Sequence, residues 1–195
     1  TMGDAVFFHI DGNPTHMNKV TVKEETISNL TDLGISGDIA ELATNGKVVV
    51  WQNDKADKYV NKIEVYDGKS KKLGGRWPGS IMGDPDTGEF VVLRGNLLKT
   101  MKLENGEMKD VKIINEDVST ISPDFKMTVF YPVSVSKGEI YMRCRLQKND
   151  KSLPFLVAFD KNGNELRRYE GIAEAPRGWA VTENYVVHTG VRGDI

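Results

Sequence analysis

Arginine and tryptophan stand close together at two places in this chain, Arg76-Trp77 and Arg177-Gly178-Trp179, each ahead of a short apolar run. A guanidinium near an indole suits an anionic or aromatic ligand, held by charge-assisted hydrogen bonds from the cation and by stacking on the ring. Carboxylates fall in comparable stretches: Asp38 in 35–38, Asp84 in 76–84 and Asp124 in 117–124, with Arg177 and Trp179 in 173–179. Arg177, Trp179, Trp77, Arg76, Asp84 and Asp38 are therefore the candidate ligand-binding residues. The competing structural reading has the indoles filling space between layers of sheet and Arg177 reaching an acid such as Asp38 or Asp84. Strand alternation puts Arg177, Trp179 and Val181 on one side and Gly178 and Ala180 on the other.

Metal and covalent chemistry have less to stand on. His9, Asp11 and His16 in HIDGNPTH surround a turn and offer the nitrogen and oxygen donors a transition metal uses. DGNP is equally a hairpin signal, and His9 and Asp11 share a strand face by alternation alone. His188 alternates with Val186 in YVVHTG and reads as a packed strand residue. No G-x-S-x-G elbow and no grouping of serine, histidine and acid appears. Asp84 with Asp86 and Asp54 with Asp57 are turn acids that at most decorate a calcium site. The single cysteine, Cys144, excludes an internal disulfide; in YMRCR it shares a face with Met142, opposite Arg143 and Arg145, as a buried thiol would. No residue is assigned a catalytic or metal-binding role.

The elements that position these residues follow from a phrase that returns along the chain, a turn into a short apolar strand and then an amphipathic hairpin. The strands read NGKVVVW from Asn45, TGEFVVL from Thr87, KGEIYMR from Lys137 and ENYVVHT from Glu183. The hairpins begin at Asn18, Asn61, Leu98 and Leu156, and Asp67-Gly68, Asn105-Gly106 and Asn162-Gly163 close three of them. Roughly 40–55 residues per unit, with short strands and no helix, is the period of a propeller blade. The sequence thus predicts an all-β fold: a β-propeller or partial propeller of about four to five four-stranded antiparallel blades, with boundaries near Gly34, Trp77, Ser119 and Ala173. STISPDF from Ser119 is expected as the first strand of the third unit, and FYPVSVS and QKNDKSLP as an inserted loop. The first unit begins in its second strand, GDAVFFHID, and the chain stops after the second strand of a fifth. Residues 1–195 therefore read as a single propeller domain that is a fragment of a larger ring, whose remainder becomes a partner. A two-sheet sandwich is the alternative.

Composition narrows the partners. With 39% hydrophobic and 28% charged residues, the 195-residue chain can build one substantial core. Lys and Arg number 26 against 28 Asp and Glu, a net charge of -2, so no uniform positive field exists for nucleic acid. No apolar run approaches a membrane span, and the opening TMGD lacks the basic and apolar regions of a targeting segment. A soluble protein is expected, with its compartment left open.

Two stretches resemble the carotenoid cleavage oxygenases: GDPDTGEFVVLRG from Gly83, and LVAFDKNGNELRRYEGIAEAPRGWAVTENYVVHTG from Leu156, in which TENYVV is the most specific element. The resemblance spans about residues 78–190. It implies a seven-bladed propeller with a non-haem ferrous ion on its axis, held by four histidines, that cleaves a conjugated double bond in polyenes or stilbenes. The first family histidine would fall at or near Ser80 and the second at Arg177. Serine is a poor ferrous ligand and a guanidinium cannot bind a cation. The expected function is accordingly a non-catalytic or inactive propeller that binds a small molecule or protein partner at its axial face, without cofactor. The alternatives are a portion of a non-haem iron oxygenase using Fe2+, and a calcium-dependent propeller hydrolase or lactonase that would draw on Asp38, Asp84 and Asp124.

Overall fold

Short apolar runs separated by turn residues fold as consecutive antiparallel meanders in the computed structural model. The structure describes residues 5–10, 16–23, 26–36, 39–46, 48–53, 62–66, 71–76, 80–105, 107–120, 126–148, 151–170, 178–181 and 185–189, with side chains at 43–46, 48, 80–105, 107–120, 134–145, 154–170 and 185. The first sheet joins β1 (Ala5–Ile10), β2 (His16–Lys23) and β3 (Thr26–Ser36). The second joins β4 (Ile39–Thr44), β5 (Val49–Asn53), β6 (Lys62–Tyr66) and β7 (Lys71–Arg76), and the third β8 (Ser80–Asp84), β9 (Glu89–Arg94), β10 (Leu97–Glu104) and β11 (Glu107–Asn115). A 3-10 turn at Val118–Thr120 precedes the fourth, β12 (Lys126–Ser136), β13 (Glu139–Lys148), β14 (Lys151–Phe159) and β15 (Glu165–Tyr169). The last two strands, β16 (Gly178–Val181) and β17 (Val186–Thr189), pair with each other. Within each sheet the strands run in chain order. Among the described residues there is no α-helix and no sheet that closes on itself.

The chain divides into two compact units, Thr1–Trp77 with Leu103–Met108, and Pro78–Lys102 with Lys109–Ile195. The first unit holds the β1–β3 and β4–β7 sheets, with β5 in register between β4 and β6. In the second, the β8–β11 and β12–β15 sheets share a core. Val91, Leu93, Leu98 and Ile114 meet Ile140, Met142, Cys144, Phe155, Val157 and Phe159, and Val118 of the 3-10 turn joins them. Register explains the set: Cys144 is opposite Phe155, Met142 opposite Val157 and Ile140 opposite Phe159, and directly opposed residues share a face.

The other faces of these sheets are covered too. Phe90, Val92, Ile81 and Met101 are buried on the far side of β8–β11, and Tyr141, Leu156 and Ala158 on the far side of β12–β15. Strands buried on both faces read as continuous apolar runs rather than alternating ones. Phe90–Leu93 and Phe155–Phe159 are such runs, every residue buried.

Three expectations need correction. Gly34 lies inside β3, so the break between the first two sheets falls at 37–38. Ser119 does not begin a strand. The Asp117 carboxylate accepts from the Ser119 amide at 3.0 Å and its hydroxyl at 2.6 Å, while the Thr120 hydroxyl donates to the Asp117 carbonyl at 2.8 Å. These local bonds wind a 3-10 turn in competition with a ladder. Residues 121–125, including Asp124, lie outside the described residues. Third, FYPVSVS and QKNDKSLP are not an insertion: the first belongs to β12, and the second supplies the end of β13 and the start of β14. Proline is tolerated at both places because each, though paired, Pro132 with Met142 and Pro154 with Arg145, lies beside an irregularity or an end of pairing. The β12–β13 register shifts between Pro132 and Ser134, and Pro154 lies beyond the last β14–β15 pair, Leu156 with Tyr169.

One contact between the two packed sheets constrains a single glycine. Gly163, in the β14–β15 turn, has a φ of 85°, and a Cβ there would stand 2.8 Å from the Ile114 carbonyl oxygen of β11. Gly95 has a φ of 58° with nothing within 4 Å of the same built atom. Gly95→Ala is expected to cost about 1 kcal/mol for backbone conformation alone. Gly163→Ala is expected to cost at least ~1 kcal/mol more, since the turn must also retreat from β11. Urea unfolding of the two variants checks the difference.

Candidate functional site

The GDPDTGE phrase forms the β8–β9 turn, and its acid is fully enclosed. Asp84 ends β8 with its side chain at 0% exposure. One carboxylate oxygen accepts from the Asp86 amide at 3.0 Å; the other accepts from the Thr87 hydroxyl at 2.7 Å and from Lys161 Nζ at 2.5 Å. The Gly88 amide closes the turn onto the Asp84 carbonyl at 2.9 Å. Burial by itself would raise this carboxyl, but the hydrogen bonds from Lys161 and Thr87, the Lys161 charge and the Asp86 amide together hold it below the usual carboxylate range.

Lys161 comes from the neighbouring sheet, on the β14–β15 turn DKNGN. That turn repeats the same device: Asp160 accepts from the amides of Asn162 at 2.8 Å and Asn164 at 2.9 Å, and from the Asn164 side chain at 2.8 Å. The Asn164 side-chain bond is the chief reason its carboxyl also lies low. Lys112 of β11 then donates to the Lys161 carbonyl at 3.0 Å and to Asn162 Oδ1 at 2.9 Å. Asp84, Lys161 and Lys112 thus join the two sheets at one end of the unit.

Of the six candidate ligand-binding residues, Asp84 is the one whose side chain is described. It closes β8, whereas Asp38 precedes β4 and Arg177 precedes β16, so it stands at the opposite strand end from the positions with which it was grouped. Arg76 is the last residue of β7, paired with Lys62, and Trp179 lies in β16, paired with His188. Asp38, Trp77 and Arg177 lie outside the described residues, as does Asp11 of the histidine set. His9 and His16 are not a register pair: His9 is opposite Met17, and His16 opposite Ile10. Ser80, at the first family-histidine position, is a half-buried strand residue paired with Leu93, and its hydroxyl does not fit a ferrous site. Among the described residues no group of three histidine, cysteine, aspartate or glutamate side chains could hold a metal ion. Cys144 is buried, as alternation predicts, and burial pushes its thiol up to about 12.

Sequence reading passed over a second polar cluster, on the far face of β12–β15. Arg167 is salt-bridged to Glu139, and donates to the hydroxyls of Tyr141 and Tyr169, each at 3.2 Å. Tyr141 donates to Glu139 at 2.6 Å. Burial and this bond raise the Tyr141 phenol above its ordinary value, so it stays a donor. The available signal was alternation: Tyr141, Arg143 and Arg145 share the side opposite Cys144, and the register brings Arg167 into line with Ala158 and Tyr141.

No family model, no curated protein and no solved structure matches this chain. Its chemistry is therefore read from its own side chains.

The Asp84–Lys161 pair carries a prediction with a definite sign. Because the folded carboxyl is held low, its contribution to stability is present above about pH 4 and is lost as pH falls through the lowered value. Lys161→Met is expected to destabilise by about 3 kcal/mol at pH 7, since it leaves a buried carboxylate without its cation. Asp84→Asn is expected to flatten the acid limb of the stability curve, and the double variant to lose less than the two single losses combined. Urea unfolding between pH 3 and 7 measures all three.

Proposed function

We propose that this chain is a β-propeller, or a portion of one, that binds a small molecule or protein partner without performing chemistry on it. One observation carries the architecture: β12 neighbours both β8 and β16, so the first strands of three successive sheets lie side by side. That is the arrangement of inner strands around a propeller axis. Burial of both faces of β8–β11 and β12–β15 supports it further, because the sandwich alternative leaves each sheet one solvated face.

On this reading the binding surface lies where the chain enters β16, at Arg177 and Trp179. Asp84, at the other strand end and already holding Lys161, stabilises the ring from beneath. The likeness to carotenoid cleavage oxygenases is then one of blade phrasing. GDPDTGE builds a self-bonded turn, and Ser80 and Arg177 stand where that family carries histidines. An arginine beside a tryptophan selects an anionic, aromatic or mixed ligand.

The test uses naphthalene-1-sulfonate, an anionic aromatic probe, titrated against tryptophan fluorescence. Saturable quenching is expected, weakened at least tenfold by Arg177→Ala and by Trp179→Leu with unfolding unchanged. An Arg177→Ala variant that melts earlier but quenches as before makes Arg177 structural and removes the site. Metal analysis of the same protein is expected to give neither stoichiometric iron nor stoichiometric calcium, and incubation with ferrous ion no cleavage of β-carotene or resveratrol. Stoichiometric iron lost on replacing a histidine overturns the non-catalytic reading.

A further inference from the structure

Arg143, in the middle of β13, is anomalous in its surroundings. Arginine remains charged at any pH a protein tolerates, and a buried guanidinium nitrogen is costly unless something accepts its proton. Arg143 Nε is buried with no hydrogen-bond partner, and among the described residues no carboxylate is paired with this guanidinium. Its neighbours are differently placed. Arg167 holds Glu139, and Arg168 holds Glu165 at 2.8 Å.

The register defines what surrounds it. Arg143 is opposite Leu156, which is opposite Tyr169, so the three share one face of the sheet; Arg145 and Pro154 form the next pair on that face. Tyr131 of β12 is opposite Arg143 on its other side; Leu156 is fully buried and supplies an apolar floor, whereas Arg143, Arg145, Pro154 and Tyr169 are half-buried and keep part of their surface in solvent. Tyr169 accepts from Arg167 Nε at 3.2 Å, which leaves its own hydroxyl proton to donate. Glu139, the acid on the adjoining row, is already held by Arg167 and Tyr141. An unpaired guanidinium edge, an apolar floor and a phenolic donor make a place for an oxyanion.

We propose that Arg143 anchors an oxyanion-binding site on the far face of the β12–β15 sheet, taking a carboxylate or phosphate group through Nε and one terminal nitrogen. The planar fork fits two oxygens at once, which a lysine cannot reproduce. This site is separate from the strand-entry surface proposed above and does not depend on it.

Thermal unfolding in sodium phosphate, sodium acetate and sodium chloride at matched ionic strength tests the site. Phosphate or acetate is expected to raise the melting temperature saturably by about 2–4 °C over chloride. The oxyanion that acts at the lower concentration identifies the preferred group. Arg143→Leu is expected to melt in chloride at or above the wild-type temperature, because it removes an uncompensated buried charge, and to lose the oxyanion response. Arg143→Lys, which keeps charge and fold, is expected to need at least tenfold more anion. Arg94→Gln, at an exposed turn, is expected to respond like the wild type. In 15N-labelled protein the Arg143 Nε–H signal should move on titration. Absence of any oxyanion-specific shift, an equal shift in Arg143→Leu, or an unmoved Nε–H signal each overturns the proposal.

Discussion

Covering a sheet on both faces removes solvent as a partner for every amide and polar atom in its middle strands, and much of this structure answers to that constraint. The ladder must satisfy the backbone, and the side chains of β9 and β14 must be apolar without interruption, as Phe90–Leu93 and Phe155–Phe159 are. Polar chemistry is driven to the strand ends and to positions where a partner is built in. Lys99 illustrates this: it lies buried on β10, and reaches the exposed carboxylate of Asp110 at 2.5 Å. Arg143 lacks such a partner, which is why it stands out.

The turns share one solution to their own backbone needs. Asn45, Asp84, Asp117 and Asp160 each present a side-chain oxygen to an amide two to four residues ahead: Val48, Asp86, Ser119, and both Asn162 and Asn164 respectively. A side chain that replaces a backbone acceptor lets the chain reverse direction without stranding its amides. The same economy limits what these acids can do elsewhere. Asp84 and Asp160 have several donors apiece, so DPDTGE and DKNGN are phrases of architecture even where they resemble phrases from a metalloenzyme. The pairing of Asp84 with Lys161 turns two such local solutions into a joint between sheets.

Much of the fold was legible because its signals are local. Turn dipeptides and apolar quartets marked the strands, and the described residues are all-β, as those signals require. The buried thiol of Cys144 followed from period-two alternation. What failed were places where a local rule yields to context. Pro132 and Pro154 read as loop residues because proline lacks a ladder donor, yet Pro132 is paired beside a register shift and Pro154 is paired on one side only, which only the register reveals. Ser119 read as strand because its capture by Asp117 is a side-chain event. The site was less legible still. That Asp84 belongs to the far end of its strand, that Lys161 is its partner at a separation of 77 residues, and that Arg143 shares a row with Tyr169 are facts of register and packing, which no spacing in the sequence encodes.

Cys144 gives the molecule an internal clock. Its sulfur lies between the two central sheets at 1% exposure, donating at 3.8 Å to the Phe155 carbonyl. Burial pushes the thiol up to about 12, so the reactive thiolate is scarce at neutral pH while the sheets stay together. An alkylating reagent in excess therefore waits for β13 and β14 to part from the opposing sheet, and the rate at which the sulfur is captured counts those partings directly. A chain with one thiol, placed at the seam of its core, records its own opening at a single reactive atom.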